Sequence, residues 1–207
     1  MKKYVQTMQY WGEITTNTNN FTIVITGLGG QGLIRFLQIL GYSLMRKGYK
    51  VITSEKHGLS QRGGKVTCFL RFGNKITSPI PIIGSVDMII ATEKACILDV
   101  LEFAKLDRSS KLIVATYEKE SQSSEYPSEE YLSIILNENS DNVCIVPVMQ
   151  IVDKFKNLKI INTVILGYIV RFLPIAEDDL LASINQHFKG KFLELNQKAF
   201  EEGRDLH

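Results

Sequence analysis

The chain has 207 residues, 44% of them hydrophobic and 22% charged, which is enough to bury a sizeable core and lies within the usual range for one domain. Its 24 basic side chains nearly balance 22 acidic ones, so no broad positive field points to nucleic acid or an anionic membrane as the main partner. The three cysteines, Cys68, Cys96 and Cys144, stand far apart with no Cys-x-x-Cys pair and no histidine at ligand spacing. That pattern argues against a disulfide scaffold or a metal or iron–sulfur site held by this chain alone, and it fits a reducing cytosol.

Residues 1–20 read as a polar extension, in which Trp11 can pin it to the body or to a partner. They lack the apolar run of a signal peptide, and no later stretch reaches the ~20 apolar residues of a membrane span, so a cytoplasmic protein is expected. From residue 21 to 207 we expect a single α/β domain. Residues 21–26 form a β-branched run suited to a buried strand. Leu33, Phe36, Leu37, Leu40, Leu44 and Met45 then recur at three- and four-residue intervals, which predicts a helix ending near Gly48. Residues 50–53 read as a second strand, so residues 21–53 make a strand–helix–strand crossover.

Residues 65–72 and 75–77 flank Gly73-Asn74, a pair suited to a tight turn, and predict an antiparallel hairpin. Two further buried strands are expected at residues 86–91 and 111–116, with a helix through residues 94–105 between them. Ser128 followed by Glu129 and Glu130 has the composition of a helix start. A last strand is expected at residues 143–148, and beyond it the periodicity is helical, with breaks at Pro174 and near Gly190. The whole predicts a three-layer, Rossmann-like open sheet, mostly parallel with one antiparallel hairpin, and a helical C-terminal part.

Two loops carry the residues that can bind. In Gly27-Leu28-Gly29-Gly30-Gln31-Gly32, the glycines at 27, 29 and 32 match the Gly-x-Gly-x-x-Gly spacing between a strand and a helix. There glycine permits the sharp turn, a close approach and tight helix–strand packing, and helix N–H groups can hold an anion. With Glu55 after the second strand as a ribose acid, this reads as an NAD(P) site; glycines serving only packing are the competing explanation. The second loop runs over residues 54–64: Ser54, Glu55, Lys56, His57, then Gln61, Arg62, Gly63 and Gly64. It follows a strand end and should lie beside the first. Arg62 can hold a carboxylate or phosphate bidentately, with Gly63 and Gly64 letting backbone come close, or it is a solvated arginine. His57 can shuttle a proton or make a structural hydrogen bond, and Glu55 can pair with Lys56 or Arg62. Asp87, Glu93 and Asn162 either line the cleft or cap elements. No hydrolase elbow, zinc-protease motif or Walker loop is present.

Together, Thr-Gly-Leu-Gly-Gly-Gln-Gly at 26–32 and Ser-Glu-x-His-Gly-x-Ser-Gln-Arg-Gly-Gly at 54–64 resemble the gamma-type domain of 2-oxoacid:ferredoxin oxidoreductases. Arg71-Phe72-Gly73, Ser78-Pro79, residues 87–93 and Asn162-Thr163-Val164-Ile165-Leu166-Gly167 extend the likeness over most of residues 21–170. The histidine-containing second motif is most similar to the indolepyruvate oxidoreductase beta subunit; the polar extension and Lys56 depart from the pattern. The resemblance implies an enzyme that decarboxylates a 2-oxoacid such as indolepyruvate or pyruvate on thiamine diphosphate and passes electrons through iron–sulfur clusters to ferredoxin, commonly releasing an acyl-CoA. It also implies that this chain supplies no catalytic residue and no metal site. Thiamine diphosphate and the clusters are then expected on a larger partner subunit, with Gly27, Gly29, Gly30, Gln31, Gly32, Ser54, Glu55, His57, Gln61, Arg62, Gly63 and Gly64 facing its active site and CoA within reach.

Overall fold

A computed structural model of the protein describes residues 20–57, 64–119 and 126–206. The expectations resting on Trp11 and on Gln61, Arg62 and Gly63 lie outside the described residues.

Strand β1 (Phe21–Leu28) is buried along nearly its whole length, and its alternate side chains enter two separate cores. Helix α1 (Leu33–Arg46) follows, its apolar stripe of Phe36, Leu40 and Leu44 completely buried against one sheet face. Each such side chain contributes about 1.5–3 kcal/mol by leaving water. Strands β2 (Val51–His57), β3 (Lys65–Phe72), β4 (Met88–Ala91), β5 (Lys111–Ala115) and β6 (Asn142–Val146) complete a six-stranded sheet of order β2-β3-β1-β4-β5-β6. The run β1-β4-β5-β6 is parallel, and β3 is antiparallel to both of its neighbours.

One face carries α1 with α3 (Val148–Phe155), α4 (Ile161–Ile169), α5 (Glu177–His187) and α6 (Lys191–Arg204) over a core that includes Ile23, Ile25, Ile90 and Ile113. The other face buries Val24, Ile89, Leu112 and Val114 against Ile97 and Val100 and against Leu132 and Leu136 of α2 (Glu129–Asn139). Three layers result, because the strands are apolar on both faces and each face needs its own cover. Helices α4 and α6 cross at two glycines: a Cβ on Gly167 would lie 2.0 Å from the Phe200 carbonyl oxygen, and one on Gly203 would lie 2.0 Å from that of Val164.

The three-layer open sheet with a helical C-terminal part is as the sequence predicts, but its antiparallel pair is made differently. Residues 75–77 form no strand; Asn20 instead bonds both the N–H and the carbonyl of Lys75 through its side-chain amide. β3 finds its partners at long range, pairing Leu70 with Ile23 on one side and with Thr53 on the other, so the hairpin is β2 and β3 joined through residues 58–64. β3 gains an eight-pair ladder with β1 and a seven-pair ladder with β2 this way, where a three-residue partner would supply one short one. The expected helix at residues 94–105 is two 3₁₀ turns, Lys94–Asp99 and Leu101–Phe103, separated where Val100 adopts φ −130°. The predicted last strand stops at Val146, since Pro147 caps α3.

Candidate functional site

β1 and β4 lie side by side and parallel, yet β1 leads through α1 to the β2 side of the sheet while the chain enters β4 on the other. The carboxyl ends of β1 and β4 therefore flank a topological switch point, where open α/β sheets bind their ligands. The loop of residues 29–32 leaves β1 at this edge. Because β3 runs the opposite way, its first residues reach the same edge, with Lys65 opposite Leu28, and the Gly29 N–H donates to the Gly64 carbonyl at 2.8 Å. The first motif and the described ends of the second, His57 and Gly64, thus converge on one edge of the sheet.

Within the first loop the glycines play different parts. Gly27 is a packing position: a Cβ there would meet Thr92 Oγ1 at 2.1 Å and Gln31 Oε1 at 2.6 Å. Gly30 has φ +91° with open space where a Cβ would be, and Gly32 caps α1 at φ +84°. No side chain caps α1 and no acid sits in its first turn, so its leading N–H groups and the positive end of its dipole suit an anion.

Gln31 turns inward. Its Oε1 accepts from the Leu28 N–H at 2.6 Å and from the Thr92 hydroxyl at 3.0 Å, and its carbonyl accepts from Asn162 Nδ2 at 2.7 Å. It fixes the loop's shape by joining the ends of β1 and β4 to α4. Asn162 and Thr92 are thereby part of the site's frame. Thr92 was not singled out by sequence, since a threonine after a short strand carries no motif.

On the second loop, Ser54 is buried and its hydroxyl donates to the Pro79 carbonyl at 3.5 Å, while His57 Nε2 stands 3.3 Å from Glu55 Oε1. Among the described residues Glu55 pairs with His57 instead of Lys56. Glu55 is also opposite Cys68 on β3, and burial together with that carboxylate pushes the Cys68 thiol up to about 12, so it stays protonated. In a dinucleotide fold the ribose acid follows the strand next to β1; here β3 stands between β1 and β2 and moves Glu55 one strand further away. A groove of about 680 Å³ lies beside Ser54 and Glu55, between the outer edge of β2, α1 and α5, with Arg35, Tyr42 and His187 on its far wall.

At the end of β4, Glu93 is buried and serves as a clamp. Its carboxylate accepts from Cys96 N–H at 3.0 Å, Lys119 N–H at 3.3 Å and the Tyr126 hydroxyl at 2.7 Å. Burial, and then the bond to Glu93, raise the pKa values of both Tyr126 and Cys96. Lys94, also buried, pairs with Glu118 at 2.9 Å and with Glu129; burial alone would lower its pKa, but the two carboxylates raise it. Asp87 sits at the opposite end of β4, where it accepts from the Thr22 N–H at 2.8 Å and pairs with Lys105 at 2.6 Å, so it caps β1 and does not line the cleft.

Residues 22–206 match the pyruvate ferredoxin/flavodoxin oxidoreductase family. The chain belongs to that family. It is 29% identical over 189 residues to indolepyruvate oxidoreductase subunit IorB of Archaeoglobus fulgidus, a match covering 87% of this chain and 92% of the relative. Among solved structures, pyruvate oxidoreductase subunit PORC of Thermotoga maritima superposes with TM-score 0.68 at 21% identity, over 90% of this chain and 96% of that one. The 2-oxoglutarate:ferredoxin oxidoreductase of Magnetococcus marinus, solved with 2-oxoglutarate, coenzyme A and succinyl-CoA bound, also gives TM-score 0.68, at 19% identity over 91% of this chain. This chain spans 31% of that longer polypeptide.

The donor set in hand does not suit the iron–sulfur clusters associated with this oxidoreductase family. The whole sequence has three cysteines; Cys68 and Cys96 are buried on β3 and in the first 3₁₀ turn, and Cys144 lies on β6. Among the described residues no group of three His, Cys, Asp or Glu side chains is placed to hold a metal ion. No helix among them is long and apolar enough to cross a membrane.

Proposed function

We propose that this chain is the accessory subunit of a cytoplasmic, thiamine-dependent 2-oxoacid:ferredoxin oxidoreductase. The assembly oxidatively decarboxylates an aryl or alkyl 2-oxoacid such as indolepyruvate to an acyl-CoA and delivers the electrons to ferredoxin. Thiamine diphosphate and iron–sulfur clusters belong to a larger partner subunit and supply decarboxylation and electron transfer there. Residues 21–207 act as one α/β domain whose loops at 27–32 and 54–64 complete the partner's active site.

The observation that carries this reading is the junction of the two loops at the switch point, where Gly29 N–H meets the Gly64 carbonyl at 2.8 Å. The names of the relatives point the same way. Gly30, Gly63 and Gly64 admit a partner backbone or a ligand without a side chain in the way. The uncapped start of α1 and the Arg62 guanidinium attract the phosphate or carboxylate of CoA or substrate. Gln61 and His57 with Glu55 add polar contacts at the rim, and the closed edge excludes water.

The test is 2-oxoacid-dependent ferredoxin reduction by the assembly carrying Arg62→Ala. Turnover is expected to fall at least tenfold while the isolated chain melts as the wild type does; unchanged turnover would remove Arg62 from the site. Calorimetric titration of the isolated chain with NAD(H) is expected to give no heat, and micromolar binding would favour a freestanding dinucleotide-binding domain instead.

A further inference from the structure

Strand β2 is an outer strand of the sheet, with β3 on one side and no strand on the other among the described residues. Its free side opens into the groove of about 680 Å³, which is lined by Val51, Thr53, Ser54 and Glu55 of β2 and by Leu37, Gly41 and Met45 of α1. An edge strand offers a row of unpaired N–H and carbonyl groups, a template for one more strand, and native proteins cover or blunt such edges. Residues 51–55 contain no proline and no lysine to blunt this one. The chain enters the fold at the same end of the sheet at which β2 begins. Asn20 bonds the N–H and the carbonyl of Lys75 at 3.0 and 3.2 Å, and the Gly73 N–H donates to the Lys50 carbonyl at 3.0 Å. Phe21, Phe72 and Val51 stand in register across β1, β3 and β2.

We propose that residues 4–11 of this same chain add to the free edge of β2 as a seventh strand, antiparallel to it, with Trp11 seated in the groove. The inference is independent of the proposed function. Residues 1–19 precede β1 and lie outside the family match, which begins at residue 22. Residues 4–11 read Tyr-Val-Gln-Thr-Met-Gln-Tyr-Trp, uncharged, free of glycine and proline, and rich in the aromatic and β-branched types that fit a pleated edge. Their eight positions match the seven of β2. The direction follows from the anchor at Asn20. β2 runs parallel to β1, since both are antiparallel to β3, so a segment that leads into the start of β1 descends along β2 from its far end. From a strand outside β2 back to β1 is three strand spacings, about 14 Å. Residues 12–19 span up to roughly 26 Å, ample for that crossing. Trp11 then comes level with the start of β2, where the apolar side chains of Val51 and Met45 line the groove and Gly41 leaves room. Because the strand is covalently tethered, weak pairing suffices to keep it in place. Once paired, it steadies Ser54 to His57, the stem of the second loop.

The experiment uses the full-length chain as wild type, as the double variant Thr7→Pro with Met8→Pro, and as Asn17→Pro, a control in the connecting residues. Consecutive strand residues point their N–H groups to opposite sides, so the double variant removes a ladder bond whichever of the two faces β2. Amide hydrogen exchange is followed along β2, and acrylamide quenching is followed at Trp11, the one tryptophan of the chain, both at several protein concentrations. Wild type and Asn17→Pro are expected to protect the outward-facing amides of residues 51–55 and to shield Trp11. In the double variant those amides are expected to exchange at least tenfold faster and Trp11 to quench at least threefold faster, with β6, the opposite edge, unchanged. Equal exchange of the β2 amides in wild type and double variant would overturn the proposal, and so would a Trp11 as open to quenching in wild type as in the urea-unfolded chain. Protection that appears only as the concentration rises would assign the edge to a second copy and overturn it as well.

Discussion

Two glycine clusters in this molecule solve opposite problems. Gly167 and Gly203 are closed positions, where helix backbones touch so tightly that a Cβ would sit 2.0 Å from a carbonyl oxygen. Gly30 and Gly32 are open ones, required by φ values of +91° and +84°, with nothing within 4 Å of a Cβ on Gly30. The first pair is silent toward ligands and holds α4 against α6; the second keeps the switch-point edge free for whatever meets it. Gly27 belongs to the first kind in spite of its place in the loop motif, because Thr92 and Gln31 fill the space beside it.

Substitution by alanine should separate the two kinds. Gly203→Ala forces backbone apart and is expected to cost about 3 kcal/mol, at the upper end of overpacking effects, read by chemical denaturation. A loss under about 1 kcal/mol would mean that the helices slide apart freely. Gln31→Ala leaves the Leu28 N–H without its acceptor at the loop's base and the Thr92 hydroxyl with the Thr26 carbonyl alone, with an expected loss of about 2 kcal/mol. If Gln31 faced a ligand instead of the loop, that change would leave stability alone and alter only turnover.

A smaller effect is expected at alkaline pH. The Cys68 thiol, ordinarily near 9.0, is held at about 12 by burial and by Glu55, so the folded chain keeps a proton that the unfolded chain releases. Stability from this group is complete below about pH 9 and is lost as pH rises toward 12. Tyr126 and Cys96 are shifted in the same direction. Cys68→Ala should make the fall in melting temperature between pH 9 and 11 shallower; an unchanged slope would assign it to the other groups.

The frame of the fold was legible because strands apolar on both faces and an amphipathic α1 leave a strong periodic signal. The partner of β3 was not, since periodicity identifies a strand without saying which strand it joins, and the pairing Leu70 to Ile23 spans 47 residues of chain. At the site, strand direction alone brings the ends of both loops to one edge, where Gly29 meets Gly64, and this much the sequence could give. The inward turn of Gln31, whose amide satisfies its own loop, left no signal in the sequence, and neither did the burial of Lys94 beside Glu93, which the sequence does offer as a cap. Charged residues read as solvated until their partners are known, and Tyr126, Glu118 and Glu129 arrive 24 to 35 residues later.

Gly30 offers the most direct test of the open edge. Alanine there meets no atom and should cost the isolated chain only about 1 kcal/mol, the strain of a positive φ. If the open edge closes the partner's active site as proposed, 2-oxoacid-dependent ferredoxin reduction by the assembly carrying Gly30→Ala falls at least tenfold. Full turnover with Gly30→Ala would contradict that claim.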